Sequence, residues 1–323
     1  MPRPKILLTR RWPKPVEKHL MERYDVTLNE MDQPFETSEL KEAMTRYDAV
    51  CPTVSDRIGA DVLKVAAPRT KILGNYGVGF SHIDIQTCKS REIVVTNTPD
   101  VLTDCTADLA MMLMLMIARR AGEGERQLRS RSWTGWRPTH MLGTKVSGKT
   151  LGLVGFGRIG QATAIRAHKG FGMKVLYFSR HRASPEIEAA TGGQLVDSLD
   201  DLIVESDFIS LHCPGGAETR HLINAQRIER MKPTAFLINT ARGEVVDEEA
   251  LIDALKHNRI AGAGLDVYER EPDIPNAMIA LNNVVLLPHL GSATTDTRIA
   301  MGMRVAANLD AFFDGKEPPD RVA

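Results

Sequence analysis

The stretch that most constrains this chain is "KTLGLVGFGRIGQATAIRA", an apolar run, a glycine triplet and a helix-forming segment in direct succession. Gly155-x-Gly157-x-x-Gly160 between a strand and a helix predicts a tight turn with a specific use. Gly155 permits the turn, and Gly157 lets the backbone approach a pyrophosphate. Gly160 lets the helix lie close to the strand, its N-terminal amides facing the anion. Arg158 and Ile159 complete the turn as candidate contacts. An ordinary glycine-rich connection could carry the same three residues, but the strand before and the helix after favour dinucleotide binding.

Further β-like runs follow the turn: "KVLYFS", "QLVDS", "DFISLHC", "TAFLINT", "IAGAGLDV" and "NVVLLPH". Helical patterns such as "DEEALIDALKHN" lie between most of them. The first hundred residues repeat the rhythm with "KILLT", "YDAVCPTV", "TKILG" and "IVVTN", and with an amphipathic stretch through Val16, Leu20 and Tyr24. Such alternation predicts parallel sheets with helices on both faces. The 323 residues fit two domains of ordinary size. The rhythm breaks at "NTPDVLT", passes "LAMMLMLMIA" (Leu109 to Ala118), and crosses the Trp-containing loop "RSRSWTGWRPTHMLG". The closing stretch places Ile299, Met303, Ala306, Leu309 and Phe313 on one helical face, able to cap either domain.

Composition removes several function classes. Formal net charge is zero with no long single-sign block, which argues against nucleic acid or an anionic membrane as partner. The run from Leu109 is far shorter than the ~20 residues needed to span a bilayer, so it predicts a buried core or interface helix. The N-terminus lacks the pattern of a secretory signal. Cys51, Cys88, Cys105 and Cys213 form no paired motif, which suits a reducing, cytoplasmic compartment.

Cofactor preference is read at the end of the strand after the turn. A site for NAD(H) wants a carboxylate about 20 residues past the glycines, to accept the ribose hydroxyls. This chain offers Ser179, Arg180, His181 and Arg182 instead. A hydroxyl and guanidinium donors suit a 2′-phosphate, so NADP(H) is expected, with NAD(H) possible.

Three titratable or charged residues directly follow separate strands of the second series: Arg242, Glu271 and His289. In an open parallel sheet the strand carboxyl ends line the ligand crevice, so the three are expected to converge there. Singly, each could be a surface pair, a helix-entry residue or a core histidine. No metal site is expected, since "LPHLGSAT" supplies no further ligands. Together they suit hydride transfer to a 2-oxo acid. Arg242 would bind the substrate carboxylate and polarise the carbonyl. His289 would protonate the carbonyl oxygen, with Glu271 stabilising the imidazolium and raising its pKa. The candidate cofactor set also takes in Pro214, Thr219, Asp266 and Gly291.

The ordered set "GFGRIG", "INTARGEVVDEEAL", "AGAGLDVYEREP" and "LLPHLGSAT", with "NYGVGFSHID" and "VTNTPDVLTDCTAD" upstream, resembles the D-isomer-specific 2-hydroxyacid dehydrogenase family over almost the whole chain. The resemblance implies that Arg242, Glu271 and His289 are catalytic. It implies an α/β fold of two doubly wound parallel-sheet domains. A Rossmann nucleotide-binding domain (102–290) is inserted into a flavodoxin-like substrate domain (1–101 and 291–323), with hinges near Val101 and Gly291 and closure over substrate. Val78 and Gly79 resemble the loop that meets the substrate carboxylate, and Thr106 with Asn239, Thr240 and Ala241 resemble cofactor contacts. A homodimer through the nucleotide domain is implied, consistent with the apolar helix. The "SWTGWRP" loop and "SRHR" most resemble glyoxylate/hydroxypyruvate reductases, where a loop tryptophan, here Trp136 rather than Trp133, reaches the partner's site. Two alternatives remain: an NAD-linked D-lactate or phenylpyruvate-type dehydrogenase, and a non-catalytic nucleotide-sensing module like the C-terminal-binding corepressors.

Overall fold

A computed structural model describes residues 2–323. The chain forms two units, one running to Leu102 and resuming over Ala293–Ala323, the other spanning Thr103–Ser292.

The first unit holds a parallel sheet of β1 (Lys5–Leu8), β2 (Asp25–Leu28), β3 (Ala49–Cys51), β4 (Ile72–Gly74) and β5 (Val94–Thr96). Their order, β2-β1-β3-β4-β5, is the flavodoxin-like one. The sequence runs locate four of these strands and miss β2. At the sheet edge its residues "DVTL" alternate between exposed and half-buried, so no apolar run marks it. The helix Lys14–Arg23 begins with Pro15 in its first turn and buries Val16 and Leu20. The closing helix, Thr295–Phe313, packs on that helix and on β4, which assigns it to this unit. Its buried face differs from the expected one. Met301, Val305, Ala306, Asn308 and Leu309 are buried, while Met303 is 37% exposed and Ile299 and Phe313 are half-buried. The cause is a polar core position. Asn308 is buried because its amide bonds Asp320, which also takes a bidentate pair from Arg304 at 2.6 and 2.7 Å. Apolar periodicity alone does not reveal such a position.

The second unit carries β6 (Thr150–Val154), β7 (Lys174–Phe178), β8 (Gly193–Leu195), β9 (Phe208–Leu211), β10 (Phe236–Asn239), β11 (Gly262–Leu265) and β12 (Val284–Leu286). All pairings are parallel, in the order β12-β11-β10-β9-β6-β7-β8. The order reverses between β6 and β9, the switch point of a Rossmann sheet and the place where its ligand crevice opens. β9 and β10 are buried at every residue, as strands covered on both faces must be. The helix Thr103–Ala118 lays Met111, Leu113, Met114 and Ile117 into one of the two core layers. At about 1.5–3 kcal/mol per buried large aliphatic side chain, that face anchors the helix strongly. Among the described residues no helix is long and apolar enough to cross a membrane.

Candidate active site

The turn after β6 has the geometry its glycines require. Gly155 has φ +93°, and a Cβ there would lie 2.7 Å from the amide nitrogen of Cys213. A Cβ on Gly160 would lie 2.5 Å from the Gly155 carbonyl oxygen, so the helix Arg158–Ile165 sits hard against the turn. Gly157 differs, because a Cβ there would meet nothing within 4 Å. The open space lies at the N-terminus of that helix, where unpaired amides favour an anion. Thr240 adds a buried hydroxyl with no hydrogen-bond partner. A cradle left clear of side chains and an orphaned buried donor both fit a dinucleotide.

The four residues after β7 part company. Arg182 forms a bidentate ion pair with Glu188, both bonds 3.0 Å, and Glu188 also takes a bond from the Tyr177 hydroxyl. Arg180 remains exposed, 3.5 Å from the equally exposed Glu218. Ser179 is half-buried and His181 exposed. Across the switch point, the Thr219 hydroxyl donates to the Pro214 carbonyl at 2.7 Å and so fixes the loop after β9.

Beyond β10 the chain turns sharply through Asn239, whose side chain accepts from the Ala241 amide (3.0 Å) and donates to the Arg242 carbonyl (2.9 Å). Asn239 thus builds the loop that presents Arg242. The Arg242 guanidinium donates to the Ala241 carbonyl at 2.6 Å. Burial pulls its pKa down, opposed by the carboxylates of Glu271 and Glu244, and an arginine keeps its proton even so. Glu244 escapes a reading by sequence alone, since nothing in "ARGEVV" sets its carboxylate apart. One of its oxygens is buried without a partner.

Asp266 performs the corresponding task after β11. Its buried carboxylate accepts from the amides of Leu290 (2.6 Å) and Gly291 (2.8 Å), and its carbonyl accepts from the His289 amide (3.0 Å). Burial raises the Asp266 pKa against those donors. Thr106 closes the arrangement by donating to the Gly291 carbonyl at 3.0 Å. His289 itself has φ +55°, held there by this network.

His289 Nδ1 lies 2.7 Å from Glu271 Oε2, and Glu271 Oε1 accepts from the Tyr268 amide at 3.1 Å. Burial would raise the Glu271 carboxyl, but the bond and charge of His289, the Tyr268 amide and Arg242 together hold it below the usual range. With Nδ1 directed to Glu271, Nε2 is the nitrogen left for a ligand. The three expected residues are therefore brought together in the second unit. Val78 and Gly79 lie in the first, and Trp136 is 81% exposed on the long loop, against 49% for Trp133.

A Rossmann sheet with an arginine and a Glu–His pair at its carboxyl edge defines a nicotinamide-dependent dehydrogenase. Residues 111–291 match the model of the D-isomer specific 2-hydroxyacid dehydrogenase NAD-binding domain. A glyoxylate reductase of Thermococcus onnurineus (strain NA1) is 48% identical, covering 99% of this chain and 96% of that one. A glycerate dehydrogenase of Hyphomicrobium methylovorum is 41% identical over 98% of each. The crystal structure of an NADPH-dependent glyoxylate/hydroxypyruvate reductase from Sinorhizobium meliloti, with NADP and malonate, superposes with TM-score 0.88 at 35% identity, covering 99% of this chain and 97% of that one. This chain belongs to the D-isomer-specific 2-hydroxyacid dehydrogenase family and is an NAD(P)-dependent enzyme.

Proposed function

We propose that the protein reduces small 2-oxo acids with NADPH, glyoxylate to glycolate and hydroxypyruvate to the D-2-hydroxy acid, as a cytoplasmic homodimer. The observation that carries the reading is the 2.7 Å pair of His289 and Glu271 beside the half-buried Arg242. When bound, the nicotinamide supplies the hydride. Arg242 holds the substrate carboxylate and draws charge toward the carbonyl oxygen. His289 delivers a proton from Nε2 to that oxygen, and Glu271 orients the ring through Nδ1 and stabilises its charged form. The relatives named glyoxylate reductase support the substrate class.

NADPH preference rests on Ser179, Arg180 and His181, with Arg182 already tied to Glu188. An NAD-linked D-lactate or phenylpyruvate-type reading draws on Glu218, a carboxylate that stands beside Arg180 and would oppose a 2′-phosphate. The homodimer is supported by the exposed Trp136, offered to a partner's site, and the cytoplasm by the four free thiols. Purified protein mixed with NADPH and glyoxylate should lose the near-ultraviolet absorbance of reduced nicotinamide, faster than with NADH or with phenylpyruvate. No loss with any small 2-oxo acid would sink the proposal.

A further inference from the structure

The loop Tyr76–Gly79 follows β4 in the first unit, and its backbone is polarised in one direction. Three successive carbonyls are bound by the scaffold beneath. The Gly77 oxygen accepts from Asn75 Nδ2 (2.9 Å) and from the Thr98 amide (3.1 Å). The Val78 oxygen accepts from Asn97 Nδ2 (2.9 Å), and the Gly79 oxygen from Asn75 Nδ2 (3.1 Å). Asn75 is fully buried, and its Oδ1 lies 3.0 Å from His82 Nε2. A donor on that side fixes which way round the amide sits, so Nδ2 faces the two carbonyls. By contrast, the amides of Val78 and Gly79, both half-buried, find no acceptor among the described residues. Turning carbonyls inward leaves N–H groups outward, and adjacent free amides form an anion-binding concavity.

We infer that Asn75 is a positioning residue for substrate recognition: its side-chain amide, oriented by His82, holds the loop so that the Val78 and Gly79 amides meet the carboxylate of a 2-oxo acid. The inference rests on the 2-oxo acid reading above. Asn75 touches no substrate and acts through the loop. An Asn75→Asp carboxylate would repel the Gly77 and Gly79 carbonyls and place a negative charge beneath the anion site. His82→Leu would remove the donor that sets the amide, and His82→Gln would restore one.

The test is steady-state kinetics of the full-length enzyme with glyoxylate and NADPH. In N75D, losing aligned amide bonds to a carboxylate should raise the KM for glyoxylate by about tenfold or more. The KM for NADPH should stay at its wild-type value, while the melting temperature falls, because a buried carboxylate facing two carbonyls is costly. H82L should show a smaller rise of the same kind, and H82Q should return close to wild type. A purely structural role would instead move both KM values together, overturning the inference. So would an unchanged glyoxylate KM in folded N75D or, if that variant does not fold, in H82L. If the unmodified enzyme reduces no 2-oxo acid at all, the substrate reading fails first, and this inference falls with it.

Discussion

Arg180 and Arg182 stand two residues apart after β7, and the structure gives them different partners. Arg182 is locked to Glu188, whereas Arg180 reaches into solvent with only a long contact to Glu218. On the NADPH reading proposed above, Arg180, the less engaged of the two, is the guanidinium that meets the 2′-phosphate. Arg180→Asp should therefore weaken NADPH binding far more than NADH binding. Losing one charge-assisted contact and gaining a repulsion should change the NADPH-to-NADH ratio by on the order of a hundredfold. Titration of both cofactors followed by fluorescence checks this, and equal weakening of the two would contradict it. The pair also marks a limit of sequence reading. The four residues "SRHR" show their chemistry openly, but Glu188, which removes one of them, lies six residues on in a helix whose orientation is a tertiary fact.

At the scale of elements, the active-site loops are set by close backbone approach. Gly243, directly after Arg242, lies so near the carbonyl of Tyr268 and the amide of Glu269 that any Cβ would overlap them. The loop after β10 and the segment bearing Glu271 thus share a contact that only glycine permits. Gly243→Ala should push the two apart, costing about 1–3 kcal/mol of stability by overpacking. It should also lower kcat by loosening the Glu271–His289 bond. Urea denaturation and glyoxylate turnover measured on the same sample check both effects, and full activity in the variant would refute the contact's role. "ARG" could be read as a site in sequence, but why its glycine is required could not, because the obstacle comes from the next strand's loop.

For the whole molecule, acid stability follows from groups that folding holds in one protonation state. His212, packed behind the glycine turn with Nε2 2.9 Å from Ser210 Oγ, is pushed down by burial to about 4. Between its ordinary value near 6.5 and about 4, the unfolded chain binds a proton that the folded chain does not. Stability therefore falls as pH drops through that window, by up to about 1.4 kcal/mol per pH unit. Below it, carboxylates held low by arginines, such as Glu17 by Arg11 and Asp48 by Arg69, add losses of the same sign. Asp266 and Glu248, raised by burial, act in the opposite sense near the acid end. Denaturation midpoints should fall from pH 7 to pH 5, and His212→Asn should flatten that slope. An unchanged slope would show that His212 is not its source.

Most of the frame is legible in local sequence. A glycine turn between strand and helix, apolar runs at regular intervals, and Arg242, Glu271 and His289 at strand ends are local signals, and local sterics and burial enforce them wherever the chain folds. Tertiary structure decided what depends on a distant partner. The edge strand β2 is a strand because β1 pairs with it, and the closing helix buries Asn308 because Asp320 meets it. His289 takes its conformation from Asp266, and Val78 and Gly79 present their amides because Asn75 and Asn97 bind the carbonyls. A buried polar group is tolerated only when its partner is within reach, and even a near neighbour such as Asn75 reaches its carbonyls only in the folded loop.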